Sequence, residues 1–203
     1  MIHSRRSCKW MDPREWSVID QQVLMTLFEA ARWSPSGFNF QNWRFVYVIR
    51  DDEPTDKWNS YLDCLWPPNR DWVKNASALV VIVSKRSGKL APGISIPVGS
   101  QSFDAGSAWM AMALEGTARG LVMHSINGFD RAKLVKQIEL NNYNKEEYLV
   151  EAFIAIGNRR HQSPPLSPKG EKEEFTENIT QRYPIDHIVS HGVFLNTNKK
   201  SLN

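Results

Sequence analysis

The chain has 203 residues, 41% hydrophobic and 23% charged, which suits one compact domain with a real core and fits poorly with disordered, collagen-like or membrane classes. A net charge of +3 is mild and the acidic residues are interspersed almost throughout, so a nucleic-acid partner is not expected. No apolar run approaches the roughly 18 residues of a membrane helix, the basic opening MIHSRRSCKW lacks a secretory signal's apolar stretch, and Cys8 and Cys64 form no C-x-x-C pair; a cytoplasmic location is expected.

In chain order, Ile19, Val23, Leu24, Leu27, Phe28 and Ala31 recur at helical spacing and predict an amphipathic helix between Ser17 and Trp33. Pro35 ends it, because the residue before a proline is pushed out of the helical region. The polar stretch 34–43 then leads into RFVYVI (44–49), a strand by its β-branched and aromatic content. A short helix is expected from Lys57 to Leu65, a break at Pro67-Pro68-Asn69, and a strand buried on both faces at 77–84, SALVVIVS. Residues 87–101 carry Gly, Pro and Ser and are expected to be a loop. Asp104 to Arg119 is the second strong helix. One face of it, Ala105, Ala108, Trp109, Met112, Ala113 and Gly116, is mostly small and admits close approach of a backbone or a flat ligand.

Gly120 is placed to cap that helix, followed by a strand LVMHSI (121–126), a turn Asn127-Gly128-Phe129 and a helix from about Asp130 to Ile138. EAFIAIG (151–157) reads as another buried strand, and the proline-rich, charged stretch 161–174 as an exposed mobile arm. Apolar content resumes at 181–194, a segment too short for a core of its own and therefore suited to another surface, such as a partner subunit. Four or five short strands interleaved with helices indicate an α+β or α/β sandwich.

The chain lacks G-x-G-x-x-G, a P-loop, H-E-x-x-H and G-x-S-x-G, which removes the main support for Rossmann enzymes, nucleotide hydrolases, zinc proteases and α/β-hydrolases. His187 and His191 have no accompanying carboxylate or Cys, so no metal is expected. His124, inside a strand, is expected to be a hydrogen-bonded core histidine. Three polar clusters remain. Arg5, Arg6, Ser7 and Lys9, with Arg182 near the other end, have the guanidinium forks and hydroxyl that hold a phosphate monoester, or are merely solvated. Pro35, Ser36, Gly37, Asn39 and Gln41 could line a flat polar ligand or simply connect helix to strand. Asn127-Gly128 offers backbone N–H groups in a tight turn.

Together these pieces resemble the nitroreductase family of flavoproteins from Arg5 to about Phe194. The matching motifs are Arg5-Arg6-Ser7-Cys8-Lys9, then Ala31 with Pro35-Ser36-Gly37-Phe38-Asn39-Phe40-Gln41-Asn42-Trp43, then Ala118-Arg119-Gly120-Leu121, Gly128-Phe129-Asp130, and Ala152 to Gly157. Three positions depart from the pattern: Asn42 stands for the usual proline, Gly37 for a frequent serine, and Thr180 for a second late basic residue.

The resemblance implies an α+β fold, an α/β/α sandwich with a central, mostly antiparallel sheet and a C-terminal segment exchanged across a homodimer. It also implies one domain over 1–203, with 181–194 wrapping the partner. FMN would lie against Arg5, Arg6, Ser7 and Lys9, with Arg182 on the phosphate side, Asn69 at the pyrimidine edge and Asp104 near the ribityl chain. The other subunit would supply Pro35, Ser36, Gly37 and Asn39, and the backbone of Asn127 and Gly128 would face the flavin ring. The implied activity is NAD(P)H-driven reduction of nitroaromatics, quinones or similar small acceptors by a ping-pong cycle, with no side-chain nucleophile. Dehalogenation, flavin fragmentation, azoline oxidation and non-catalytic flavin binding are the alternatives. Trp66, Trp72 and Phe103 are loose candidates for the substrate pocket.

Overall fold

A computed structural model describes residues 2–13, 19–50, 54–143, 147–159, 181–185 and 188–192. The chain forms two units, Met1–Gln162 and Ser163–Asn203.

In the first unit Asp20 accepts a hydrogen bond from the Val23 N–H at 2.8 Å and so caps α1 (Gln21–Arg32). Its apolar stripe buries Leu24, Leu27 and Ala31. After a 3-10 turn at Gly37–Asn39 comes β1 (Trp43–Ile49). Next are α2 (Thr55–Leu62) and α3 (Pro67–Val73). The break expected at Pro67-Pro68-Asn69 is instead this helix's first turn: proline's missing N–H costs nothing there, and its fixed φ already suits a helix.

β2 (Ala78–Lys85) is buried from Ala78 to Ser84, as a near-continuous apolar run requires. The stretch expected to be a loop forms a hairpin instead, β3 (Ser87–Ala91) paired antiparallel with β4 (Ile94–Pro97). Gly93 turns it at φ 76°, a conformation costly for other residues. α4 (Gln101–Ala118), β5 (Leu121–Ile126), α5 (Arg131–Gln137) and β6 (Tyr148–Asn158) complete the unit. Gly120, at φ 77°, ends α4, and Asp130 caps α5 by accepting from the Lys133 N–H.

The main sheet runs β1-β2-β6-β5, antiparallel at each pairing. Because side chains alternate along a strand, β2 feeds two cores. Val80 and Ile82 meet Leu24, Leu27, Ala108 and Met112 of α1 and α4. Val81 and Val83 meet Trp58, Tyr61, Val73 and Leu134 of α2, α3 and α5. The architecture is therefore an α/β/α sandwich of the α+β class. Each buried Val, Leu, Ile or Met of these cores contributes about 1.5–3 kcal/mol. The small face of α4 lies on the sheet, so close at Gly116 that a Cβ there would run into the Met123 thioether.

No helix among the described residues is long and apolar enough to cross a membrane. In the second unit, residues 181–185 and 188–192 include a turn in which Val189 N–H donates to Ile185 at 3.0 Å. Tyr183, Ile185, Ile188 and Val189 are exposed. The arm expected at 161–174, Thr180, His187 and residues 193–194 lie outside the described residues.

Candidate functional site

One group of site residues gathers on the α2/α3/α5 face of the sheet. Cys8 is buried and its sulfur accepts from the Trp10 N–H at 3.2 Å, while Asp12 N–H donates to Asn158 at 3.0 Å. The Asp12–Asn158 bond and a bridge between Met11 and Arg159 fasten the N-terminal segment to the end of β6, with Arg5 and Arg6 half-buried and Ser7 and Lys9 exposed. Arg5 approaches the Ser7 hydroxyl at 3.5 Å, and Arg6 donates to the Arg5 carbonyl at 2.9 Å and to the His3 carbonyl.

Lys9 sits 5.9 Å from the Trp72 ring centroid. Trp72 lies against His124 at 4.8 Å and donates to the Asn69 side-chain oxygen at 3.4 Å. The Asn69 amide donates to the Gly128 carbonyl at 3.0 Å, which also accepts from Trp66 N–H at 3.0 Å. The bridge between Leu65 and Phe129 holds the Asn127-Gly128 turn beside α3. A Cβ on Gly128 would run into the Asn69 amide, so a side chain there must displace that amide from its bond to the Gly128 carbonyl.

Electrostatically this corner is cationic. Among the described residues Arg5, Arg6 and Lys9 make no ion pair, and the N–H groups of Asn127 and Gly128 have no acceptor. Cations, a hydroxyl and N–H donors without acceptors are the groups that could hold a phosphate monoester and a polar ring. His124 is half-buried; its Nδ1 has no partner among the described residues, but the ring hydrogen-bonds to the backbone of Cys8 and Ser7, as expected of a hydrogen-bonded core histidine. Burial pushes its pKa below the usual histidine value, while the backbone of Cys8 pulls it back.

A second group lies at the α1/α4 side. Pro35 and Asn39 are exposed, Ser36 and Gly37 half-buried. One oxygen of Asp104, in the first turn of α4, accepts from Gly37 N–H at 3.3 Å, the Asn42 amide at 3.1 Å and the Ser100 hydroxyl at 3.1 Å. Asp104 is only 3% exposed. Within one chain, then, the Arg5–Lys9/Asn69/Gly128 group and the Pro35–Asn39/Asp104 group are anchored to opposite faces of the sheet. Arg182, in the second unit, donates to the Gln181 carbonyl at 3.2 Å. Of the loose pocket candidates, Trp66 and Phe103 are 58% and 82% exposed, whereas Trp72 supports Asn69 and His124. Sequence reading missed Asn42 and Ser100 as partners of Asp104; the one signal was that Asn42 occupies a proline's place.

Residues 2–158 match the family model described as Nitroreductase family. The chain is 34% identical over 93 residues to an oxygen-insensitive NADPH nitroreductase of Helicobacter acinonychis (strain Sheeba), a match covering 45% of this chain and 40% of that relative. The chain thus spans well under half the length of that curated relative. Among solved structures it is similar to an oxidoreductase containing FMN, with TM-score 0.78, 27% identity, and 96% of this chain and 91% of that one covered. It also shares the fold of a nitroreductase family protein from Clostridium difficile 630, with TM-score 0.65, 16% identity, and 95% and 96% covered.

Proposed function

The chain belongs to the nitroreductase family, and on that premise we propose that it is an FMN-dependent oxidoreductase that uses NAD(P)H to reduce nitroaromatics, quinones or similar small acceptors. The observation that carries this reading is the cationic corner of Arg5, Arg6 and Lys9, without an ion-pair partner among the described residues and beside the Asn127-Gly128 turn. FMN and NADPH are also the groups named for the similar oxidoreductase and the Helicobacter nitroreductase.

Bound FMN would supply the two-electron redox chemistry. Arg5, Arg6, Ser7 and Lys9 would hold its phosphate. Asn69, fixed by Trp72 and Gly128, presents its amide edge to the pyrimidine side, and the Asn127 and Gly128 N–H groups are oriented without rotamer loss toward the ring. Positive charge at this corner favours the reduced, more anionic state. Donor and acceptor use the same open face in turn, which is a ping-pong order.

The working form is a homodimer. The two residue groups sit on opposite faces of the sheet in one chain, so loop 35–39 completes the site of a neighbour. Exposed Trp33, Phe103 and Met110 on or beside α1 and α4, and Tyr183, Ile185 and Val189 in the tail, offer apolar surface to a second copy.

The purified chain should be yellow, release FMN on heating, and oxidise NADPH or NADH in the presence of nitrofurazone or menadione. Recovery of FAD, or of no flavin after reconstitution, overturns the proposal. Arg5→Ala should weaken FMN by about 1.5–3 kcal/mol, as for a hydrogen bond to a charged group.

A further inference from the structure

Loop 36–41 has an unusual backbone. Phe38, Asn39 and Gln41 all have positive φ, at 51°, 55° and 48°. Asn tolerates this left-handed region, but Phe and Gln visit it rarely, and such residues persist only where their surroundings over-determine them. The constraints are identifiable. Gln41 N–H donates to the Ser36 hydroxyl at 2.9 Å, and Asn39 and Phe40 N–H groups donate to Ser36 and Gly37, each at 3.0 Å. Gly37 N–H and the Asn42 amide then converge on the single Asp104 oxygen that Ser100 also meets. Asn42 is itself buried, at 2% exposure.

The residue at 42 decides whether this loop can exist. A proline there would force Gln41 toward extended φ and remove the donor to Asp104. Asn42 permits the left-handed Gln41 and supplies the bond that holds it.

We propose that Asp104 and Asn42 are a positioning pair: their buried hydrogen bond sets the left-handed shape of loop 36–41, and Asp104 serves the flavin site through that loop without touching the cofactor. The role at the flavin rests on the function proposed above. The clamp on the loop does not, so the two can fail separately.

The test uses full-length protein with Asp104→Ala, Asn42→Ala, Asn42→Pro, and the exchanged pair Asp104→Asn/Asn42→Asp. Amide hydrogen exchange over 37–41 reads the loop, fluorescence titration of the apoprotein reads the FMN Kd, and Leu27→Ala, a core truncation on α1, controls for lost stability. Each single variant should speed loop exchange and raise the FMN Kd about ten- to a hundredfold, the scale of a buried polar group left unpaired. The exchanged pair should do better than either single change at these positions but recover only in part, because an amide nitrogen in place of the shared oxygen can donate to a carboxylate at position 42 and to the Ser100 hydroxyl, while the Gly37 N–H loses its acceptor. Asn42→Pro should loosen the loop although proline ordinarily stiffens one.

Unchanged loop exchange in Asp104→Ala, an exchanged pair no better than the singles, or Asn42→Pro as protected and as tight as the wild type overturns the pairing. FMN affinity falling no further than in Leu27→Ala overturns its role at the flavin. If the wild type takes up no FMN, the flavin reading and the pair's role in it fall together, and the exchange data alone decide the clamp.

Discussion

At Gly128 the surrounding chain leaves little room for a side chain. A side chain there meets the Asn69 amide of its own chain, with Trp66 Cε3 3.3 Å away, before it could meet a ligand. Gly128→Ala should therefore cost about 1–3 kcal/mol, the usual range for overpacking, in urea unfolding of the flavin-free protein. A flavin-free stability equal to wild type would contradict this steric account. Asn127→Ala should leave that stability and FMN binding nearly unchanged, because only its backbone is used. His124 gives a pH dependence with a definite sign. Its folded pKa lies below the ordinary value of 6.5, with burial the leading cause, the Cys8 backbone opposing, and the Lys9 charge adding to the lowering. Neutral His124 thus contributes stability that is present above pH 6.5 and lost as pH falls from there through the folded pKa. Urea midpoints at about pH 7.5, 6.5 and 5.5, which bracket the ordinary histidine range, should fall less steeply in His124→Phe than in the wild type, and parallel curves would remove His124 as the cause.

Among the elements, the β3–β4 hairpin is tied to the loop after α1. A Cβ on Gly88 would lie 2.5 Å from Phe40 Cδ2, so the Phe40 ring rests directly on the glycine. Phe38 adds a second ring, centroid 5.5 Å from that of Phe40. Gly88→Ala should displace Phe40, destabilise the protein by about 1–3 kcal/mol and speed exchange in loop 36–41. Adding Phe40→Ala should cost less than the sum of the two single changes, since neighbours in contact are not additive. Strict additivity would mean that the hairpin and the loop are independent. The start of α4 is similarly tied to the sheet: Glu151 accepts from Ser84 at 2.5 Å and from Ser102 at 2.8 Å.

For the whole molecule, the proposed two-chain site makes a prediction that a one-chain site cannot share. Let one protein carry Arg5→Ala/Arg6→Ala and another Ser36→Ala/Asn39→Ala, each inactive alone. In a mixed dimer one site receives both defects and the other neither, so random mixing should restore about a quarter of wild-type activity. No recovery, with mixed dimers demonstrated by affinity tags, would place both groups in one chain's site.

Much of this was legible locally. The spacing from Ile19 to Ala31, the run SALVVIVS and Gly120 after α4 specify helix, buried strand and cap, because hydrophobic periodicity and φ preference act over a few residues. The order of the motifs was enough to identify the family. The Pro67-Pro68 helix start was legible too, since proline suits a first turn as well as a break. Other features needed the tertiary fold. Ser87–Pro97 has loop composition, and its pairing is buttressed by Phe40 on Gly88. The resemblance assigns Asp104 to the neighbourhood of the ribityl chain but says nothing of its contacts to Asn42 and Gly37, 62 and 67 positions away. Hydrogen bonds at that separation leave no periodic trace, so only the packing of α4 beside the loop reveals what the carboxylate holds.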